Sequence, residues 1–240
     1  MHHTKFKKIL EIRQVLTLLF VGSVLLFTST YTTHAQVSAS FGVKASVAAT
    51  TFQGDNSDDI NNFYEAGTPS GIDLGSSLRI GYGGGLFAEF RFDDLEAIAL
   101  RPEVGYMQRG DMIEDDSGST TYSLTTKVDY IEVPVLLRVN LPNDLYAIVG
   151  PSVGFSIGTP EIELENLVFT DTGEETRELN SDAIASTVYG VVVGFGVGID
   201  NAWLDLRYHH GLSDVFALQP GFQQPDIQNQ GLSLSFGYGF

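Results

Sequence analysis

Gly231-Leu232-Ser233-Leu234-Ser235-Phe236-Gly237-Tyr238-Gly239-Phe240 ends the sequence. Every even position is large and apolar and every odd one is Gly or Ser, a period of two that describes a strand with one greasy and one small polar face. In a water-soluble sheet the greasy face needs a core to cover it. In a barrel that crosses a membrane the same face turns to lipid, because closure pairs every backbone group. Which of the two applies depends on whether other segments repeat the pattern and on where their turns fall.

The pattern recurs seven times upstream. Val37, Ala39, Phe41, Val43, Ala45 and Val47 alternate with Ser38, Ser40, Gly42, Lys44 and Ser46; Leu78 to Phe92 sets Ile80, Tyr82, Leu86 and Phe90 against Arg79, Gly81, Gly83, Gly85, Glu89 and Arg91. Ala97 to Arg109 turns Arg101, Glu103 and Arg109 inward, and Lys127 to Asn140 does the same with Glu132, Pro134 and Arg138. Leu145 to Ile157, the Gly194-Phe195-Gly196-Val197-Gly198 strand, and the strand of Leu204, Leu206 and Tyr208 opposite Asp205, Arg207 and His209 complete the set. Short turns are expected at Asp93 to Glu96, at Pro142 and Asn143, and at Asp200 and Asn201. Between them lie four long polar loops: Gln53 to Ser77, Gly110 to Thr126, Gly158 to Ala185 and Ser213 to Gln228. Within the third, the alternation of Glu161 to Glu165 and the Asp171-Thr172-Gly173 turn suggest a hairpin rising above the membrane.

All the long loops thus fall at one end. The expected fold is all-β, an eight-stranded antiparallel up-and-down transmembrane β-barrel in the outer membrane. A soluble ligand-binding barrel would turn its apolar face inward. Here the inward face carries Lys44, Arg79, Arg91, Arg101, Arg109, Arg138 and Arg207, seven of the nine basic residues beyond position 35, with Glu89, Glu103, Glu132 and Asp205. An eight-stranded barrel has room inside only for side chains, so these charges should form an ion-pair network and not a water channel.

Residues 1–35 read as a signal peptide: Lys5, Lys7, Lys8 and Arg13, an apolar run from Val15 to Phe27, and a polar stretch to Ala35. That run is shorter than the roughly 20 residues a membrane helix needs. Residues 36–240 are then the barrel domain. The chain of 240 residues carries a formal charge of −17; without the first 35 residues, nine bases stand against 29 acids, a charge of −20. Such an acidic domain argues against a nucleic-acid partner. There is no Cys, hence neither a disulfide nor a thiolate metal site.

Tyr130-Ile131-Glu132-Val133-Pro134-Val135-Leu136-Leu137-Arg138 and Val149-Gly150-Pro151-Ser152-Val153-Gly154 resemble the PorT-like outer-membrane β-barrel family. Gly194 to Gly198, Arg207, Tyr208, Gly211, Leu212 and the closing Leu232, Leu234, Phe236, Gly237 and Phe240 add to the resemblance, which runs from about Val37 to the end. It implies an eight-stranded outer-membrane protein of Gram-negative bacteria, in contact with outer-membrane lipid. It also implies that Tyr238 and Phe240 act as a signal to the barrel insertion machinery. One branch of the family serves a secretion complex, the type IX system, and no motif here ties the chain to it.

For catalysis the tempting cluster is His209, His210 and Ser213, with Asp205 or Asp214 to orient an imidazole. Its spacing matches no specific motif, and no catalytic, cofactor or metal residue is assigned. The four loops hold 19 acids with Arg177 as their one base. They read as a solvated acidic rim, since no loop has the spacing of a calcium-binding hand. The function expected is non-enzymatic: a barrel with a filled lumen that presents acidic loops to an unidentified protein partner, as an adhesin or a subunit of an envelope or secretion complex. The alternatives are a small pore and a lipid-modifying enzyme.

Overall fold

The computed structural model describes residues 37–54, 75–92, 95, 97–115, 122–165, 174–178, 184–216 and 227–240. The export segment expected at 1–35, the Asp171 to Gly173 turn and most of the loop tips lie outside the described residues. Among the described residues there are ten strands: β1 (Val37–Gly54), β2 (Gly75–Ser77), β3 (Arg79–Phe92), β4 (Ile98–Asp115), β5 (Tyr122–Asn140), β6 (Leu145–Glu165), β7 (Glu174–Glu178), β8 (Thr187–Ile199), β9 (Ala202–Asp214) and β10 (Ile227–Gly239). Each of the eight long ones exceeds the 9–11 or so residues of a tilted crossing. β2 continues β3 across a break at Leu78, and both pair with β4.

The sheet closes. β1 pairs with β3 on one side and β10 on the other, and the antiparallel ladder continues through β9, β8, β6, β5 and β4 back to β3. This is an eight-stranded antiparallel β-barrel. Phe240 completes the seam, donating its N–H to the Phe41 carbonyl at 2.8 Å, so its neighbour on β1 is Phe41, whereas Phe90 and Phe92 oppose Ala39 and Val37. At the β5–β6 turn the two residues with positive φ are Asn143 (63°) and Asp144 (59°). The tight turn is therefore centred one residue later than Pro142 and Asn143, on the pair that tolerates the left-handed conformation a two-residue hairpin requires.

Burial follows the alternation and is inverted relative to a soluble protein. Leu232, Leu234, Phe236 and Tyr238 are about half exposed, while Ser233 and Ser235 between them are 1 % exposed. On β9, Trp203, Asp205, Arg207 and His209 are buried between exposed Leu204, Leu206 and Tyr208. The outer face is apolar and the inner face carries the charge.

Two expected loops prove shorter than read. β4 runs on to Asp115 and β5 begins at Tyr122, with Gly110 to Asp115 paired to Lys127 to Tyr122, so most of the stretch Gly110 to Thr126 is a hairpin. Asp111, counted above with the solvated rim acids, is buried: it accepts from the Thr51 hydroxyl at 2.9 Å and the Phe52 N–H at 3.3 Å. The hairpin expected from Glu161 onward is present, since Glu161 to Glu165 pairs with β7, and the same stretch pairs with Ser123 to Lys127 on its other edge. One side of the barrel thus continues as a sheet of β4, β5, β6 and β7, with about 20 Å of strand beyond Arg109 at ~3.3 Å per residue.

Candidate functional site

The inner face supplies the first candidate. Glu89 accepts from Arg101 (2.6 Å), Arg138 (2.9 Å) and Arg91 (2.7 Å). Arg101 also faces Asp205 at 3.6 Å; Asp205 holds Arg207 at 2.7 Å, Arg207 forks onto Glu103 at 2.7 and 3.0 Å, and Glu103 takes Lys44. A second chain joins Glu132 to Arg109, which donates to Asn229 and to His209. The expected ion-pair network is thus present, and every member but Arg91, which pairs with Glu89 on its own strand, donates to or accepts from another strand. Arg79 departs from the expectation. Its guanidinium donates to Gln108, whose amide donates to the Tyr106 hydroxyl, which donates to Asp129. Arg79 lies beside the break at Leu78, where the pairing shifts from Gly83 opposite Met107 to Ser77 opposite Met112.

Sequence parity left Phe87, Tyr146 and Trp203 unassigned, and they make the lumen's floor. All three are buried, with Leu136, Ile148 and Val192, and their rings surround the Arg101 guanidinium at 4.7–5.5 Å from its carbon. Each ring lies directly opposite a glycine on the next strand: Phe87 across from Gly42, Tyr146 from Gly196, Trp203 from Gly237. A Cβ on any of those glycines would overlap the facing ring. The signal was legible as one large inward aromatic per strand beside a strand rich in Gly.

The nominated histidines separate. His209 is inside; His210 stacks on Tyr208, 6.2 Å between ring centres, and the Ser213 hydroxyl accepts the Tyr189 N–H. His209 does meet a serine, but it is Ser233, at 2.9 Å from Nε2. Arg109 offers only donors, so its bond to Nδ1 (3.0 Å) makes Nδ1 the acceptor and leaves the proton on Nε2, which donates to Ser233. A nucleophile-activating histidine needs the opposite arrangement, a free lone pair towards the serine and a carboxylate behind. Asp205 is engaged by Arg207 and by the Tyr146 hydroxyl (3.2 Å), not by an imidazole.

At the raised end, Lys127 donates to Glu161 at 3.1 Å, and this bond holds its ammonium pKa above the ordinary lysine value. Strand positions in this extension include Glu114, Asp115, Glu163, Glu165, Glu174, Glu175 and Glu178, with Arg177 and Lys127 as the bases. The extension is a strongly acidic platform at the end opposite the short turns.

A closed barrel with an apolar belt outside and a paired ionic network within defines an integral β-barrel protein of the outer membrane. The chain belongs to the outer membrane protein beta-barrel domain family, whose model matches residues 34–217. Among solved structures it is similar to Neisserial surface protein A, at 15% identity over 85% of this chain and 99% of that one, TM-score 0.44. It is also similar to the attachment invasion locus protein Ail of Yersinia pestis (13%, 84% and 99%, TM-score 0.39) and to the outer membrane protein OprG from Pseudomonas aeruginosa (11%, 85% and 96%, TM-score 0.36). No curated protein matches the chain.

Proposed function

We propose that this chain is a PorT-like barrel, exported by cleavage after Ala35, that acts without catalysis by presenting its raised acidic sheet to a basic protein partner, as an adhesin or as a subunit of an envelope complex. The observation that carries the reading is the division of labour between the two ends: the lumen is filled by its own paired side chains, while β4 to β7 extend a charged surface beyond the barrel. In support of the PorT-like assignment, the two halves of its motif lie on neighbouring strands in register, Glu132 opposite Gly154 and Pro134 opposite Ser152. The reversed His209–Ser233 hydrogen bond supports a non-enzymatic role.

Deleting Glu161 to Asp182 tests it. The variant should remain heat-modifiable on gels, as a folded barrel is, and should lose the cross-linked partner that the full chain captures from whole cells. Replacing the glutamates of Glu161 to Glu178 by glutamine should weaken capture in the same direction, and high salt should do so for the unaltered chain. Retained capture by the folded deletion variant would refute a sheet-mediated role.

A further inference from the structure

The ion pairs of the floor do not balance. In the chain of contacts from Arg91 through Glu89, Arg138, Arg101, Asp205, Arg207 and Glu103 to Lys44, five cations share three carboxylates, and four of the five, all but the exposed Arg91, lie largely inside. Three of the five converge on Glu89 alone, which is 2 % exposed. A buried cationic surplus calls for a further anion, because an uncompensated charge in a dry interior is costly. The surplus lies where the lumen opens. A cavity of about 120 Å³ sits at the short-turn end, lined by Glu89, Arg91, Arg138, Trp203, Asn201 and Phe240 among others.

Two of the lining residues carry a buried donor with no acceptor among the described residues, Arg138 Nε and the Trp203 indole N–H. Arg138 gives Nη1 to Glu89 and stacks on the Tyr146 ring at 4.0 Å, which fixes the guanidinium with Nε unused. Arg91 is half exposed at the mouth, where it holds Glu89 through Nε and Nη2 and leaves Nη1 without a bond to Glu89. Beside Glu89, the negative groups on the lining are Asp200 and Phe240, which are exposed and screened by water as Arg91 is, whereas Arg138 and Trp203 lie inside. At ~30 Å³ per water, the volume suits one carboxylate- or phosphate-sized group with a water or two.

We propose that the short-turn mouth of the barrel, which faces the periplasm, binds a single small oxyanion, a carboxylate or a phosphate, between Arg91, Arg138 and Trp203. The site would take a free anion or the anionic end of a larger periplasmic molecule, and it is independent of the raised sheet.

Trp203 is the chain's one tryptophan, so the site carries its own reporter. The full barrel, refolded in neutral detergent, is titrated with sodium phosphate and separately with sodium acetate, at ionic strength held constant with sodium chloride. Saturable change in Trp203 emission with either anion is expected, weakened at least tenfold in Arg91→Gln and in Arg138→Lys. The barrel should keep its heat-modifiability in Arg91→Gln, since that side chain is half exposed. Saturation by phosphate alone would point to phosphates and phosphate esters as the natural occupants, saturation by acetate to carboxylates. A linear response with no saturation for both anions, or saturation unchanged in Arg91→Gln and Arg138→Lys, would overturn the site.

Discussion

Glu103 holds two cations at once, Arg207 by a fork and Lys44 by a single bond, in a place where no water can replace it. Removing its charge strands Lys44 and leaves Arg207 with Asp205 alone, so Glu103→Gln should cost about 3–5 kcal/mol of unfolding free energy in lipid vesicles. Lys127→Met at the raised end removes an equally visible ion pair, yet it should cost under about 1 kcal/mol, because both partners are partly exposed. The raised pKa of Lys127 sets the sign of its pH dependence: its contribution is full below the unfolded lysine range and fades as pH rises through the higher folded value. Urea titrations of the two variants at neutral pH separate these outcomes; equal costs would mean that the lumen is wet. Gly237→Ala is the third case. It places a methyl group against the Trp203 ring and should destabilise by about 1–3 kcal/mol with a shift in Trp203 emission.

At the scale of elements, period and turn chemistry decide what a sequence can reveal. The inward and outward sets of all eight long strands were legible because a pleated strand has no freedom in which side a residue takes. Strand ends were less so: Gly110 to Asp115 and Tyr122 to Thr126 set only Met112, Ile113, Tyr122 and Leu124 among polar residues, so no sustained alternation marked them as paired. Arg79 was placed inside by parity and is buried, but beside the pairing shift at Leu78 it bonds Gln108 and not a lumen carboxylate. The Trp203, Tyr146 and Phe87 floor was missed because each ring reads as one more hydrophobe until its glycine neighbour across the ladder is known. The closing strand yields the prediction of this scale. Deleting Phe240 removes the N–H that bonds Phe41 at the seam and one exposed ring from the inner girdle. Assembled protein in the outer membrane should fall and a protease-sensitive periplasmic pool appear, whereas His210→Ala should assemble normally. Normal assembly of the deletion variant would remove the terminal residue from the insertion signal.

For the whole molecule, one inversion organises everything else: lipid takes the apolar face and the chain's own charges fill the interior. Charged side chains inside a closed sheet must satisfy one another, which explains why Glu89, Glu103 and Asp205 each serve more than one arginine or lysine. It also leaves the acidic end and the periplasmic mouth as the surfaces free to meet other molecules. The native chain has no cysteine, so single thiols report the inversion without background. Leu234→Cys, Phe236→Cys, Ser233→Cys and Ser235→Cys, reconstituted in vesicles, are exposed in turn to a membrane-soluble and a water-soluble thiol reagent. The thiols at 234 and 236 should react with the membrane-soluble reagent alone, and those at 233 and 235 with neither until the protein is unfolded. Water-soluble reagent reaching 233 or 235 in the folded protein would mean an open channel, and reaching 234 or 236 would mean that the apolar face does not meet lipid.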